Sequence, residues 1–290
     1  MKLHTINTGL FKLDGGAMFG VVPKVVWQKL VTPDENNLCT WAMRCLLVED
    51  ENRLILIDTG IGEKQEAKFL AHYHLHGNDT LIKSIRQLGF SEDDITDVVL
   101  THLHFDHCGG AIKREKENNN KLSLTFKNAV VWSSEAHWAW ATAPNPREKA
   151  SFLTENILPI KESGHLKFIN PNAGNGQNEQ KLPFKNIDFL FVDGHTEKQM
   201  LPLITLENNK KLLYCADLMP SVAHIPLPYV MGYDMRPLIT MQEKEQILAR
   251  AVAENITLFF EHDNQNECCS VQMTEKGVRM KDVFSLKDMF

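Results

Sequence analysis

Short apolar runs separated by polar, turn-forming residues set the pattern of this chain. RLILIDTG (53–60), TDVVLT (96–101), AVVWSS (129–134), IDFLFVDG (187–194), KLLYCAD (211–217) and ITLFFEHD (256–263) each read as a buried strand. TLIKSIRQLGF (80–90), EAHWAWATA (135–143) and QEKEQILARAVAEN (242–255) read as helices, the last with apolar positions at i, i+3 and i+4. Strands and helices alternate through the chain, so the predicted class is α/β with helices covering sheets. With no repeat and no linker, the expected organisation is one domain over 1–290, built from two β-rich halves at roughly 1–128 and 129–290. KREKENNNK (113–121) and NPNAGNGQNEQK (170–181) are polar throughout and read as solvated loops.

Composition narrows the class. At 290 residues, 43% hydrophobic and 23% charged, the chain can bury a full core, which excludes disordered, collagen-like and coiled-coil proteins. No apolar run approaches the roughly 18 residues of a membrane helix, and MKLHTINTGLFKLDGG lacks the pattern of a secretory signal. Thirty-one basic against 37 acidic residues give −6, which argues against a nucleic-acid surface. The six cysteines show no CxxC spacing and read as free thiols. The expectation is a cytoplasmic protein with a small-molecule substrate and neither a membrane nor a nucleic acid as partner.

The chemistry concentrates in THLHFDHCGG (101–110), which places His102, His104, Asp106 and His107 within six residues of one another directly after a strand. Two histidines two apart on extended backbone point to the same side and converge on one ion. Asp106 and His107 follow a turn, where the chain swings toward a second. Such a string arises by chance in on the order of one chain per thousand. Crowded buried histidines and an aspartate cost several kcal/mol, a cost a divalent cation removes.

HxHxDH after a strand resembles the metal motif of the metallo-β-lactamase superfamily. The resemblance extends along residues 40–264: His195 in FVDGHTEKQ stands at the third motif, Asp217 in LLYCAD at the bridging aspartate and His262 in LFFEHD at the last histidine. It implies an αββα sandwich, with His102, His104 and His195 on one metal, Asp106, His107 and His262 on the other, and Asp217 bridging both together with a hydroxide. Asp58 in LIDTG resembles the family aspartate that orients a ligand histidine, the alternative being a turn cap. A nitrogen and oxygen donor set suits two zinc ions, with iron or manganese as alternatives. The implied reaction is hydrolysis of an ester, lactone or phosphoester, the metals activating water and stabilising the oxyanion. Asp106 would also pass a proton to the leaving group. A glyoxalase II-like thioesterase or a phosphodiesterase is the alternative on the same scaffold, and an iron-dependent oxidoreductase the more distant one.

Lactone and organophosphate hydrolases fit this ligand set best. Acyl-homoserine lactonases place a substrate-contacting tyrosine three residues past the bridging aspartate, where this chain has Pro220, and the histidine often found four residues past the third-motif histidine is Gln199. His224, Tyr229 or Tyr233, in LMPSVAHIPLPYVMGYD (218–234), are the candidates to take over the tyrosine's role. DGGAMFGVVPKVVW (14–27) and 218–233 are apolar for loops, so Met18, Phe19, Ile225 and Leu227 suggest a greasy rim that would take an acyl or aryl group. The alternatives are that they cover the core or form a homodimer contact. HYHLH (His72, His74, His76) imitates a ligand run, but it lacks a carboxylate, and helix periodicity would splay His74 away. His137 reads as helix surface or core.

Overall fold

Apolar runs become parallel strands when both faces of a sheet are covered, because each residue then meets a core on either side. In the computed structural model, which describes residues 1–115, 119–171 and 184–289, that is the fate of most of the runs. The chain runs β1 (Lys2–Asp14), α1 (Gly15–Phe19), α2 (Lys24–Trp27), β2 (Leu38–Asp50), β3 (Arg53–Ile57), α3 (Ala67–Ala71), α4 (Leu81–Gln87), β4 (Asp97–Val99) and α5 (Phe105–Cys108). β5 (Ile112–Glu115), β6 (Lys121–Leu124), β7 (Val130–Ser133), α6 (Glu135–Thr142), α7 (Thr154–Glu162) and β8 (Leu166–Phe168) follow. Then come β9 (Ile187–Val192), β10 (Gln199–Thr205), β11 (Lys211–Tyr214), α8 (Pro237–Glu254), β12 (Thr257–Phe259), β13 (Cys268–Thr274) and β14 (Gly277–Phe284).

The chain packs as two compact units. Met1–Gly9, Met43–His72 and His76–Pro183 make the first; Leu10–Ala42, Tyr73–Leu75 and Phe184–Phe290 make the second. Residues 129–171 belong to the first unit because β7 pairs parallel with β4, and β8 with β7.

One six-stranded sheet has the order β1-β2-β3-β4-β7-β8. β3, β4, β7 and β8 are parallel, with Leu56 opposite Val98 and Val98 opposite Val131. Leu56, Val98, Ile85 and Leu100 are fully buried in the core of this unit. The three parallel strands β3, β4 and β7 therefore finish side by side, and the segments that follow them meet at one edge, where α/β sheets gather their functional loops.

The second sheet has the order β14-β13-β12-β11-β10-β9, with β11 and β12 parallel and the other pairs antiparallel. α8 is the crossover between β11 and β12. It begins at Pro237, whose missing N–H costs nothing at a first helical turn, and ends at Asn255 in the left-handed conformation. Its inward stripe is Thr240, Lys244, Leu248 and Ala251.

Two expectations change, and a third falls almost wholly outside the described residues. The polar stretch from 113 enters a hairpin, with Arg114 opposite Leu122 and Ile112 opposite Leu124, because Ile112 and Leu124 pack into the core; residues 116–118 lie outside the described residues. Of the second polar stretch, only Asn170 and Pro171 are described, Asn170 donating to Glu135. Met18, Phe19 and Ile225 are at most 1% exposed, so they are core rather than rim. The reason is a short helix, capped by Asp14 accepting from Ala17 N–H at 2.8 Å, that turns Phe19 inward between Trp27 and His224.

Candidate metal centre

Asp58 follows β3, Thr101–His107 follows β4, and His137 rides on α6 after β7. Asp58 holds a left-handed φ of 58°. Its two oxygens accept from the Thr101 N–H (2.8 Å) and hydroxyl (2.7 Å). Having donated to Asp58, the Thr101 hydroxyl must accept from His102 Nδ1, 3.0 Å away, which leaves the lone pair of His102 on Nε2. His104 Nε2 donates to Glu148 Oε1 at 3.0 Å, which puts its lone pair on Nδ1. These two lone-pair nitrogens face each other at 3.1 Å with the rings 79° apart. Two acceptors cannot share a proton-free contact at that distance without repulsion, and a cation resolves it. His107 repeats the pattern: Nδ1 lies 3.3 Å from Asp58 Oδ2 and Nε2 3.8 Å from Asp106 Oδ2.

The backbone around these rings is fastened. Leu103 N–H donates to His137 Nε2 at 2.8 Å, so His137 anchors the middle of the His-x-His segment. Thr59 donates through its N–H and its hydroxyl to the His107 carbonyl, 2.8 Å each. A Cβ on Gly109 would lie 2.1 Å from the Ile61 carbonyl oxygen, so only glycine fits there. Glu148 is itself held by the Trp140 indole N–H (2.7 Å) and the Asn145 amide (3.1 Å).

In the second unit His195, Asp217 and His262 follow β9, β11 and β12. His195 stands in a turn whose Asp193 and Gly194 N–H groups donate to Glu243 (2.6 and 3.0 Å). His195 Nδ1 meets Asp234 Oδ1 at 2.9 Å. His262 Nδ1 must donate to the Ala42 carbonyl, 2.7 Å away. Each remaining Nε2 points at Asp217, His195 to Oδ2 and His262 to Oδ1, both at 3.1 Å. Burial pulls the pKa of His195 down, but the carboxylates of Asp217 and Asp234 more than reverse this and carry it to about 10. The site wants a positive charge. Ala216, just before Asp217, is left-handed at φ 41°, a strained conformation for alanine that turns the aspartate out of the strand line.

This donor set fits divalent metal: every ring has one nitrogen fixed by an acceptor and the other aimed at a further ligand. Asp58 meets His107, as its resemblance implied. Asp234 and Glu148 were not singled out by sequence. Asp234 stands within the quoted 218–234 segment, but nothing there marks it as the partner of a histidine 39 residues away.

His224 is 1% exposed, with Nε2 on the Met18 carbonyl and Nδ1 on Ser221 Oγ, 2.8 Å each, and its ring stacked on Phe19. Tyr229 is half-buried and edge-on to Phe19, and Tyr233 is 38% exposed. His72, His74 and His76 are exposed; α3 stops at Ala71, so no helix carries them.

Residues 44–262 match the metallo-beta-lactamase superfamily, and the chain belongs to that superfamily. Its fold is the αββα sandwich type, and it is a metal-dependent hydrolase. Among relatives, N-acyl homoserine lactonase AiiA of Bacillus thuringiensis subsp. kurstaki is 23% identical over 284 residues, covering 93% of this chain and 96% of its own. A probable metallo-hydrolase of Mycobacterium tuberculosis is 36% identical over 108 residues, covering 32% of this chain and 35% of its own. Of solved structures, a probable metal-dependent hydrolase from Staphylococcus aureus superposes with TM-score 0.85 at 25% identity, covering 98% of this chain and 96% of that one. The dizinc quorum-quenching lactonase AidC, bound to a product, superposes with TM-score 0.75 at 24% identity, covering 98% and 95%. Among the described residues no helix is long and apolar enough to cross a membrane.

Proposed function

We propose that this hydrolase opens a lactone or cleaves an ester carrying an apolar acyl group, using two divalent metal ions, zinc first among them. The observation that carries the two-ion reading is Asp217, whose two oxygens each stand 3.1 Å from the Nε2 of a different histidine. A carboxylate held this way would serve two cations at once. His102, His104 and His195 would hold one ion and Asp106, His107 and His262 the other, with Asp217 common to both. When bound, the ions lower the pKa of water and polarise the substrate carbonyl. The chain's own groups do the rest: Asp58, Glu148 and Asp234 fix the tautomers, and Asp106 would pass a proton to the leaving alkoxide. His224 has both nitrogens engaged, so substrate contact falls to Tyr229 or Tyr233. The lactone preference and the acyl group are supported by the relatives' names; the buried Met18 and Phe19 no longer support the acyl group. A homodimer is part of this reading, with Val21 and Val25, 91% and 66% exposed, as surface it would bury; sedimentation equilibrium tests it.

The deciding experiment is proton release by zinc-loaded protein with an acyl lactone, an aryl ester, a thioester, a phosphodiester and a phosphotriester. Lactone or ester turnover at kcat/KM of about 10⁴ M⁻¹s⁻¹ or more is expected. Turnover confined to the thioester or a phosphoester would overturn the lactone reading. Asp217→Ala and His104→Ala should each lose most metal and activity, and full activity in both would overturn the metal reading.

A further inference from the structure

Lys244 lies at 0% exposure in the middle of α8, a place lysine rarely occupies. Its Nζ is 2.8 Å from the Tyr229 carbonyl, 3.1 Å from that of Pro226 and 3.3 Å from that of Leu227. An ammonium has three N–H donors, and three carbonyls of one turn take them. That turn, 226–229, sits inside the segment that follows Asp217 and carries both tyrosines. Pro226 and Pro228 bring no N–H of their own, so the turn closes on one internal bond, Tyr229 N–H to the Pro226 carbonyl at 2.9 Å. The segment is pinned before the turn by Val222 N–H on Asp263 and His224 on the Met18 carbonyl. After it, Met231 N–H meets Asp234 and Gly232 N–H the Ala17 carbonyl.

We infer that Lys244 is the positioning residue of the substrate loop, its ammonium gathering the carbonyls of 226, 227 and 229 and so setting where Tyr229 is presented. The substrate part of this inference rests on Tyr229 as a contact in the proposed function; the loop part does not. An alkyl side chain would leave three carbonyls facing an apolar helix stripe, and the turn would open toward water. The groups acting on the ammonium's charge are Asp234, which favours it, and His224. Burial pulls the Lys244 pKa down to about 7 and Asp234 opposes this. A neutral amine offers two donors and turns a lone pair toward a carbonyl, so the turn loosens as pH rises.

The test compares Lys244→Met and Lys244→Gln in the zinc-loaded full chain. Amide hydrogen exchange in 227–231 should speed up about tenfold or more in Lys244→Met, with the rest of α8 unchanged. KM for the panel substrate should rise about tenfold with kcat within about twofold, and Lys244→Gln should recover part of both. Unchanged exchange, or unchanged KM, in Lys244→Met overturns the inference. If neither variant folds, exchange in the wild type at pH 6 and pH 9, corrected for intrinsic rates, decides: protection lost at pH 9 supports it, and protection kept overturns it. A wild type silent on lactone and ester would sink the proposed function and leave exchange to judge the loop.

Discussion

Thr101 shows how a single hydroxyl fixes the chemistry of a neighbour: by donating to Asp58 it can only accept from His102, and the tautomer follows. Glu148 does the same for His104 from 44 residues away. Metal affinity should therefore fall roughly 10–100-fold in Glu148→Ala. Glu148→Gln, which keeps an acceptor for His104 Nε2, should recover most of it, as read by competition with a chromogenic chelator. The HxHxDH segment was legible because its donors are local and its spacing is rare. Glu148, Asp234 and His137 were not, because a side chain acquires such a role only when the fold brings two distant segments together. His137 looked like helix surface or core, and it is core, yet its Nε2 is what holds Leu103 N–H.

Elements were readable where burial makes the pattern extreme. RLILI and TDVVLT gave β3 and β4 because parallel strands are apolar on both faces, and the ends of β3, β4, β7, β9, β11 and β12 were placed from sequence. Local energetics decided the rest. α1 gathers apolar residues that look like a loop until Asp14 caps it, α8 starts five residues earlier than its periodicity because Pro237 suits a first turn, and β5–β6 hides behind its charged residues. The turn that delivers His195 depends on α8 directly. A Cβ on Gly194 would sit 2.3 Å from Thr240 Oγ1, 2.4 Å from its backbone nitrogen and 2.5 Å from its Cα. Backbone cannot yield as a rotamer can, so Gly194→Ala should lower unfolding free energy by about 2 kcal/mol or more. Denaturant titration with metal analysis should show bound metal falling alongside.

The order of candidate ligands at strand ends carried the resemblance and with it the fold class, while the way the chain packs into units did not follow from sequence order: residues 10–42 leave the first unit for the second. Acid sensitivity belongs to this scale. A free imidazole takes a proton near 6.5. Burial, with Lys244 adding to it, pushes His224 down to about 3. Between those values the unfolded chain binds the extra proton, so acidification favours unfolding by about 1.4 kcal/mol per pH unit from this group. Unfolding free energy of His224→Phe, measured from pH 6.5 to 4, should slope less steeply than that of the wild type.

The six cysteines are all buried thiols, Cys45 and Cys108 in one unit and Cys39, Cys215, Cys268 and Cys269 in the other. Burial pushes the Cys108 thiol up to about 12, so an alkylating reagent finds almost no thiolate there in the folded protein. Each alkylated sulfur then records an opening event, and intact-mass spectra of a partly reacted sample become a record of which parts opened together. If the two units unfold as one, molecules carry no label or six. If one gives way first, a population with two labels or with four appears between them.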